Sequence, residues 1–551
     1  MPNPPKNLSS LLGFAADTFG ARRFAVDSES GAELSFEGLR DAATRVAVAL
    51  VHRFKIRAES SGEFHSFSVS ERRANIAILM PNCIELLPVY FGILRSGRVA
   101  VPVNARLKAE ELQFILGDSE AQAVFVHPAT WKAAQEALTA LKWTRPVIAV
   151  GFETPPPGTV SFTDLLARTP LAMELDSAST GALNTTGDVA AIIYTSGTTG
   201  RPKGAMLTHG NVLYNVASTI ASHGLKEDDI HLLVVPLFHV TGLNTIMPTA
   251  LQQGGSLVIS SSIDPEEQLE TANKFKCTTF FGVPTTFYLL ANTLPGGREN
   301  EPNPRPLPYE GRGEQTPAAP NPAPSLRLIC YSGAPMSSLT IQRLRRIFTN
   351  VELHNFYGLT ETTSVTTVLE DAQAIERSES VGRPPPGLEL CVMSEDDTPL
   401  PAGEVGELCV RGASVFLGYF KRREATEEAL KGGWFHTGDT AYIDAQGYVF
   451  LRGRKKEMVI VAGENVYPIE VENALCAHAA IQEAAAFGRE DAALGEVVHA
   501  AVVVRAGEKI TDRELKAFLM TRLAAFKVPR TIKILEKLPR NASGKVVKRE
   551  L

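Results

Sequence analysis

Through the first 290 residues, short runs of aliphatic and β-branched residues alternate with stretches whose apolar positions recur at helical spacing. Asn75-Ile76-Ala77-Ile78-Leu79-Met80, for example, is followed by the helix-like run from Ile84 to Arg95. Strands separated by helical crossovers pair in parallel, so this alternation predicts an α/β architecture with largely parallel sheets. A single hydrophobic core stops growing at about 250–300 residues. A chain of 551 residues therefore divides into at least two domains.

From Glu404 to Val449 the pattern changes to short strands and glycine turns, which implies a compact β region. Beyond Arg454 come strand, helix, strand, strand and helix, with helices expected at Ile469 to His478 and Asp512 to Leu523. This reads as a small α+β domain. The expected division is 1–453 and 454–551. Residues 295–324 hold nine prolines and four glycines without apolar periodicity, and are expected to form an exposed, disordered insertion.

Composition narrows the function classes. With 55 basic and 61 acidic side chains the net charge is −6, and the only dense basic run is Arg452-Gly453-Arg454-Lys455-Lys456. A nucleic-acid partner is not expected. The six cysteines form no CxxC pair, so neither a disulfide framework nor a zinc site is signalled and a cytoplasmic location is expected. Ile230 to Ile263 carries no Asp, Glu, Lys or Arg, but prolines, amides and the Gly254-Gly255 pair interrupt it, so no transmembrane segment is expected.

The most informative stretch is Tyr194-Thr195-Ser196-Gly197-Thr198-Thr199-Gly200-Arg201-Pro202-Lys203-Gly204, which follows the strand Ala190 to Ile193. Val212, Val216 and Ile220 behind it recur at helical spacing. Hydroxyls, glycines and a lysine between a strand and a helix suit a loop that wraps phosphates. The spacing is not that of a Walker loop, which requires adjacent Gly-Lys.

This loop resembles the AMP-binding signature of the adenylate-forming superfamily of acyl-CoA synthetases, firefly luciferases and peptide-synthetase adenylation domains. Further blocks stand in the family's order: Pro236 to Gly242, Tyr331 to Pro335, Asn355 to Thr362, Trp434 to Asp439, Gly453 to Glu457, Gly463 to Pro468 and Pro539 to Lys545. The stretches 295–324 and Glu59 to Ser70 depart from the pattern without touching these blocks.

The resemblance implies ATP, Mg²⁺ and coenzyme A as co-substrates and cofactor, with a small carboxylic acid as the group activated; a homodimer is left open. Thr195, Ser196, Gly197, Thr198, Thr199, Gly200 and Lys203 would hold the triphosphate. Glu361 would hold Mg²⁺, with Thr195. Ser332, Gly333, Ala334, Pro335 and Tyr357 would line the adenine, and Asn355, Phe356, Gly358 and Thr360 would be further cofactor-binding residues. Asp439 would accept both ribose hydroxyls, assisted by Arg454, as suits a carboxylate with two acceptor oxygens. Lys545 would bridge the substrate carboxylate and α-phosphate, Lys456 would be the pivot of a mobile C-terminal domain, and Gly463 and Glu464 would meet pantetheine. His239 would gate the substrate, its role as a base for the thiol left open.

The segments that build the family's acyl pocket match Val234 to Leu251 and Thr279 to Ala291, and neither contains Asp, Glu, Lys or Arg. A second carboxylate buried there would need a cation to offset its desolvation. The expectation is a medium- or long-chain fatty acid or an aryl acid. Two alternatives stand beside an acyl-CoA synthetase: an adenylating ligase that loads a carrier protein, and a non-catalytic scaffold that kept the fold.

Overall fold

The computed structural model describes residues 5–56, 73–171, 185–195, 201–294, 321–333, 336, 338–454, 457–461, 464–491, 495–505, 507–540 and 546–551. Mixed α/β architecture is observed, with two large sheets, a four-stranded β region and a small C-terminal domain.

One eight-stranded sheet runs in the order Thr367–Leu369, Glu352–Tyr357, Leu328–Ser332, Thr279–Gly282, Ile230–Leu233, Ser256–Ile259, Arg23–Asp27, Glu33–Ser35. Its inner pairs are parallel and the pair at each edge is antiparallel. Both faces are covered, because alternate residues of one strand enter different cores. Leu328 and Cys330 join one cluster while Ile329 and Tyr331 join the other. That two-sided burial is why these strands read as continuous apolar runs.

The second eight-stranded sheet runs Gly418–Tyr419, Lys203–Thr208, Val189–Thr195, Val99–Pro102, Asn75–Leu79, Ala123–Val126, Val147–Ala149, Val160–Ser161. An antiparallel sheet of Leu388–Met393, Gly406–Gly412, Phe435–Ile443 and Val449–Arg454 follows. In the C-terminal domain, Pro468–Cys476 and Asp512–Met520 are helices that share a core with the strands Ile481–Asp491 and Gly495–Val504. Among the described residues no helix is long and apolar enough to cross a membrane.

Two sequence expectations are corrected. The Thr195 to Lys203 segment does not lead into a helix: Thr195 pairs with Lys203 at the mouth of an antiparallel hairpin, and the helix His209–His223 starts only after Thr208. Pro324 also does not end an exposed insertion, since Ala323 is buried in the core and the Asn321 amide donates to the Thr349 carbonyl at 3.2 Å. Residues 295–320 and all of Glu59 to Ser70 lie outside the described residues.

Candidate active site

In an open α/β sheet, ligands bind beyond the carboxyl ends of the strands, where the strand order reverses. Here the chain passes from Ile230–Leu233 to Ser256–Ile259 on one side, then to Thr279–Gly282 on the other. The crevice between the first and last of these strands receives the loop Val234 to Thr241. Asn82 pins that loop: its side-chain oxygen accepts the Leu237 amide at 2.8 Å and its amide donates to the Val235 carbonyl at 3.2 Å. Gly242 permits the turn, because a Cβ there would stand 2.7 Å from the Pro236 carbonyl oxygen. His239 is half-buried at this end. Burial, then the charge of Arg106, holds its imidazole below the ordinary histidine range, so the ring is neutral near pH 7.

The neighbouring strands end level with one another, Gly282 beside Tyr331 and Ser332 beside Phe356. From the last of them Tyr357 reaches Asp439, its hydroxyl donating to Oδ2 at 2.5 Å. Arg454 sits opposite Asp439 in the adjoining sheet and its Nε stands 2.6 Å from Oδ1. The Asp439 side chain is only 8% exposed. Burial and the Asp439 charge keep the Tyr357 phenol far above its usual range, so it remains a donor. Thr437 shapes the approach by accepting the Asp439 amide at 3.0 Å while donating to the Leu408 carbonyl at 2.7 Å.

Glu361 lies in the single turn Thr360–Thr362, followed by two non-glycine residues at positive φ, Thr363 at 55° and Ser364 at 85°. Such residues cost on the order of 1–3 kcal/mol each and persist only where the surroundings over-determine them. Here Thr363 and Ser364 donate backbone bonds to the Thr360 and Leu359 carbonyls at 3.0 Å, and Thr363 Oγ1 donates to the Ser414 carbonyl at 2.7 Å. Ser364 Oγ stands 3.0 Å from Thr241 Oγ1, which ties the turn to the His239 loop. Gly358 is required, since a Cβ there would fall 1.3 Å from the Ser364 carbonyl oxygen.

The Glu361 carboxylate accepts the Tyr419 hydroxyl at 2.9 Å, and Lys203 Nζ stands 5.1 Å from the centroid of the same ring. Burial raises the carboxyl above its ordinary range, against the pull of its own amide, the Tyr419 hydroxyl and Arg454. The Glu361 carboxylate and the Thr195 hydroxyl supply oxygen ligands of the kind that fit Mg²⁺, which is bound by one or two carboxylates together with substrate phosphates.

The structure thus brings Thr195, Lys203, Glu361, Tyr357, Asp439, Arg454 and His239 to one end of the sheets. Ser332 and Gly333 form a turn there, Gly333 at φ 89°, and Asn355 is buried with its amide 3.4 Å from the Ser380 carbonyl. Phe356 is 3% exposed and its ring packs against Phe281 and His223 on the opposite face of the strand from Tyr357, so its side chain faces the core. Ser196 to Gly200, Ala334, Pro335, Lys456, Gly463 and Lys545, and the Glu464 side chain, lie outside the described residues. Sequence reasoning passed over Tyr419 and Asn82, whose roles arise from pairings with distant segments.

The profile of the family described as AMP-binding enzyme matches residues 14–420, and that described as AMP-binding enzyme C-terminal domain matches 470–545. The chain is 35% identical over 480 residues to a feruloyl-CoA synthase of an Amycolatopsis species, covering 86% of this chain and 88% of the relative. It is 33% identical to an indoleacetate–CoA ligase of Aromatoleum aromaticum, covering 92% of each. Among solved structures, the o-succinylbenzoate CoA synthetase of Bacillus subtilis with its acyl-adenylate superposes with a TM-score of 0.80 at 26% identity, covering 99% of this chain and 98% of that one. The chain belongs to the AMP-binding enzymes and, among them, to the adenylate-forming CoA ligases.

Proposed function

We propose that this ligase activates a monocarboxylic acid with an uncharged, hydrophobic tail, either an aryl acid or a medium- to long-chain fatty acid, in the cytoplasm. The observation that carries the reading is the uncharged composition of the two segments flanking the crevice, Val234 to Leu251 and Thr279 to Ala291, opposite the polar cluster of Asp439, Arg454 and Glu361. Phe280, Phe281 and Phe287 are buried core residues, so the tail would meet the crevice through the exposed Val283 and the half-buried His239 rather than through those rings. An uncharged tail gains about 0.8 kcal/mol per buried CH₂. The aryl acids in the names of the two relatives accord with this reading.

In the first half-reaction a carboxylate oxygen attacks the α-phosphorus of ATP, the bond from that phosphorus to the α,β-bridging oxygen breaks, and pyrophosphate leaves with its electron pair. Asp439 accepts the ribose hydroxyls while Arg454 and Tyr357 fix its two oxygens, and Lys203 faces the phosphates. Glu361 and Thr195 would hold Mg²⁺, which when bound offsets phosphate charge. Lys545 supplies a cation to the charge developing between carboxylate and α-phosphate. In the second half-reaction the thiol of coenzyme A attacks the acyl carbon, the thiol proton is lost and AMP departs. Neutral His239 flanks that carbon. The two steps need different groups, so a domain comprising 454–551 turns about Lys456 against residues 1–453, bringing Gly463 and Glu464 to the pantetheine.

ATP–pyrophosphate exchange across aliphatic and aryl acids of graded length tests the substrate class, followed by thioester formation with free coenzyme A. A far higher kcat/KM for aryl or longer aliphatic acids than for acetate is expected. Preference for malonate, oxalate or succinate would overturn the tail assignment. Exchange without thioester formation would instead indicate a carrier protein as acceptor.

A further inference from the structure

Asp118, the last residue of the helix Ala109–Asp118, lies outside the cluster that faces substrate, yet it binds both walls of it. Its side chain is 13% exposed. Oδ2 accepts the Tyr194 hydroxyl at 2.7 Å and Oδ1 accepts Arg422 Nη2 at 2.5 Å. Its backbone carbonyl receives Lys421 Nζ at 3.4 Å, and Lys421 also pairs with Glu120. An aspartate in the last turn of a helix opposes the helix dipole. Helix stability therefore does not account for it, whereas these contacts do.

Tyr194 immediately precedes Thr195 and pairs with Gly204 across the hairpin that carries the phosphate loop. There is no slack at that pairing, because a Cβ on Gly204 would meet Ile192 Cγ2 at 2.6 Å and the Tyr194 ring at 3.2 Å. Arg422 belongs to the segment whose strand Gly418–Tyr419 pairs with Met206 and Ala205 of the same hairpin, with the Phe420 amide donating to the Gly204 carbonyl at 2.8 Å. Tyr419 in turn binds Glu361 and lies beside Lys203. One carboxylate thus fixes the base of the phosphate hairpin through Tyr194 and the strand that aims Glu361 through Arg422.

We infer that Asp118 is a positioning residue for ATP, setting the spacing between the Thr195 to Lys203 phosphate hairpin and the Glu361 carboxylate without touching the nucleotide. This rests on the ligase reading. Its consequence is confined to steps that engage the triphosphate. Transfer of an acyl group from preformed acyl-AMP to coenzyme A involves no pyrophosphate and should be indifferent to Asp118.

The test uses full-length Asp118→Ala, Asp118→Asn, Tyr194→Phe and the double variant Asp118→Ala/Tyr194→Phe, in three measurements: exchange against ATP concentration, thioester synthesis from preformed acyl-AMP, and ATP affinity by calorimetry. Asp118→Ala is expected to lose about 10- to 100-fold in kcat/KM for ATP, as is typical when a supporting contact behind a ligand is removed. Acyl transfer should hold within twofold. The double variant should be no worse than Asp118→Ala, and Asp118→Asn, which keeps an acceptor for Arg422, should recover part of the loss. Equal loss in both half-reactions, additive effects in the double variant, or an unchanged kcat/KM for ATP would overturn the assignment. Should Asp118→Ala not fold, Tyr194→Phe must show the same split between half-reactions or the inference fails. Should wild type exchange with no acid at all, the ligase reading fails on its own, while a tenfold weaker ATP affinity in Asp118→Asn or Tyr194→Phe still decides the positioning role.

Discussion

Asp439→Asn isolates what the carboxylate proposed to bind ribose contributes, because the structure shows a partner for each of its oxygens. Oδ1 faces Arg454 Nε, which only donates, and Oδ2 faces the Tyr357 hydroxyl, which can donate or accept. In the asparagine variant the amide oxygen therefore stays towards Arg454, and the amide nitrogen turns to Tyr357, whose hydroxyl reverses its role. The Arg454 side chain is 36% exposed, so losing its charged partner costs folding only about 0–1 kcal/mol. The nucleotide loses more. One ribose hydroxyl exchanges a charged acceptor for a donor, and a hydrogen bond to a charged group is worth roughly 1.5–3 kcal/mol. At 1.4 kcal/mol per factor of ten this predicts about a 10- to 150-fold fall in kcat/KM for ATP. Exchange should be measured with ATP, 2′-deoxy-ATP and 3′-deoxy-ATP at saturating acid, beside a thermal melt. The variant should discriminate less against one of the deoxynucleotides than wild type does, since that hydroxyl has already lost its partner. A fall below threefold, or an equal fall with all three nucleotides in a protein that melts normally, would show that Asp439 does not bind ribose.

Three further outcomes are expected. Lys545→Ala should lose about 10²- to 10³-fold in adenylation, by analogy with a lost oxyanion donor, and keep thioester synthesis from preformed acyl-AMP; equal loss in both steps would refute its role. Lys456→Pro, which fixes φ near −65°, should spare exchange and slow coenzyme A transfer, so unchanged overall turnover would refute a hinge there. Asp229→Asn should cost about 3 kcal/mol in urea denaturation, because it leaves Arg327 without its buried partner. Burial opposes ionisation of Asp229, but Arg327, the Lys226 amide and Thr278 outweigh it and hold the carboxyl below its ordinary 3.8. The stabilisation from this pair is therefore present above pH 3.8 and lost as pH falls through the lower folded-state value, a loss the asparagine variant should not show.

Much of this architecture was legible in the sequence because each parallel strand, buried on both faces, leaves an uninterrupted apolar run, and each crossover helix leaves its own period. What escaped depended on pairings between distant segments. Lys203 to Thr208 was read past because Lys-Gly-Ala-Met-Leu-Thr has neither alternation nor a strong β-former at its start; antiparallel pairing with Val189–Thr195 decides it. Tyr419 gained its place only when Gly418–Tyr419 added to the edge of that hairpin. Phe356 misled for the opposite reason. It stands inside a block that the family resemblance assigns to the nucleotide, yet the two-residue period of a strand sends its side chain to the core while Tyr357 points at Asp439. In the proline-rich stretch, composition concealed Ala323, a short buried anchor at the boundary of an unpatterned segment.

The two halves of the proposed chemistry place opposite demands on rigidity, and the chain answers them in different segments. Asp439, Tyr357, Glu361, Lys203 and Arg454 are held by sheet register, by hydrogen bonds between side chains, and by a turn whose two positive-φ residues have no room to relax against Gly358. That fixity suits a nucleotide that must stay in one orientation through both steps, since a preorganised dipole does its work without reorganising during reaction. The groups assigned to change between steps, Lys545 and the Gly463-Glu464 loop, all follow Arg454 in the chain. A lysine fixed in the same wall as Asp439 would hold the new adenylate where the thiol must arrive. Placing it on a separate segment would let one cation complete the first step and then leave, while the strand Val449–Arg454 presents Arg454 to Asp439. Arg454 is thus paired with Asp439 while standing two residues from the proposed hinge, so under the proposed roles ribose binding and domain rotation would be coupled through that ion pair.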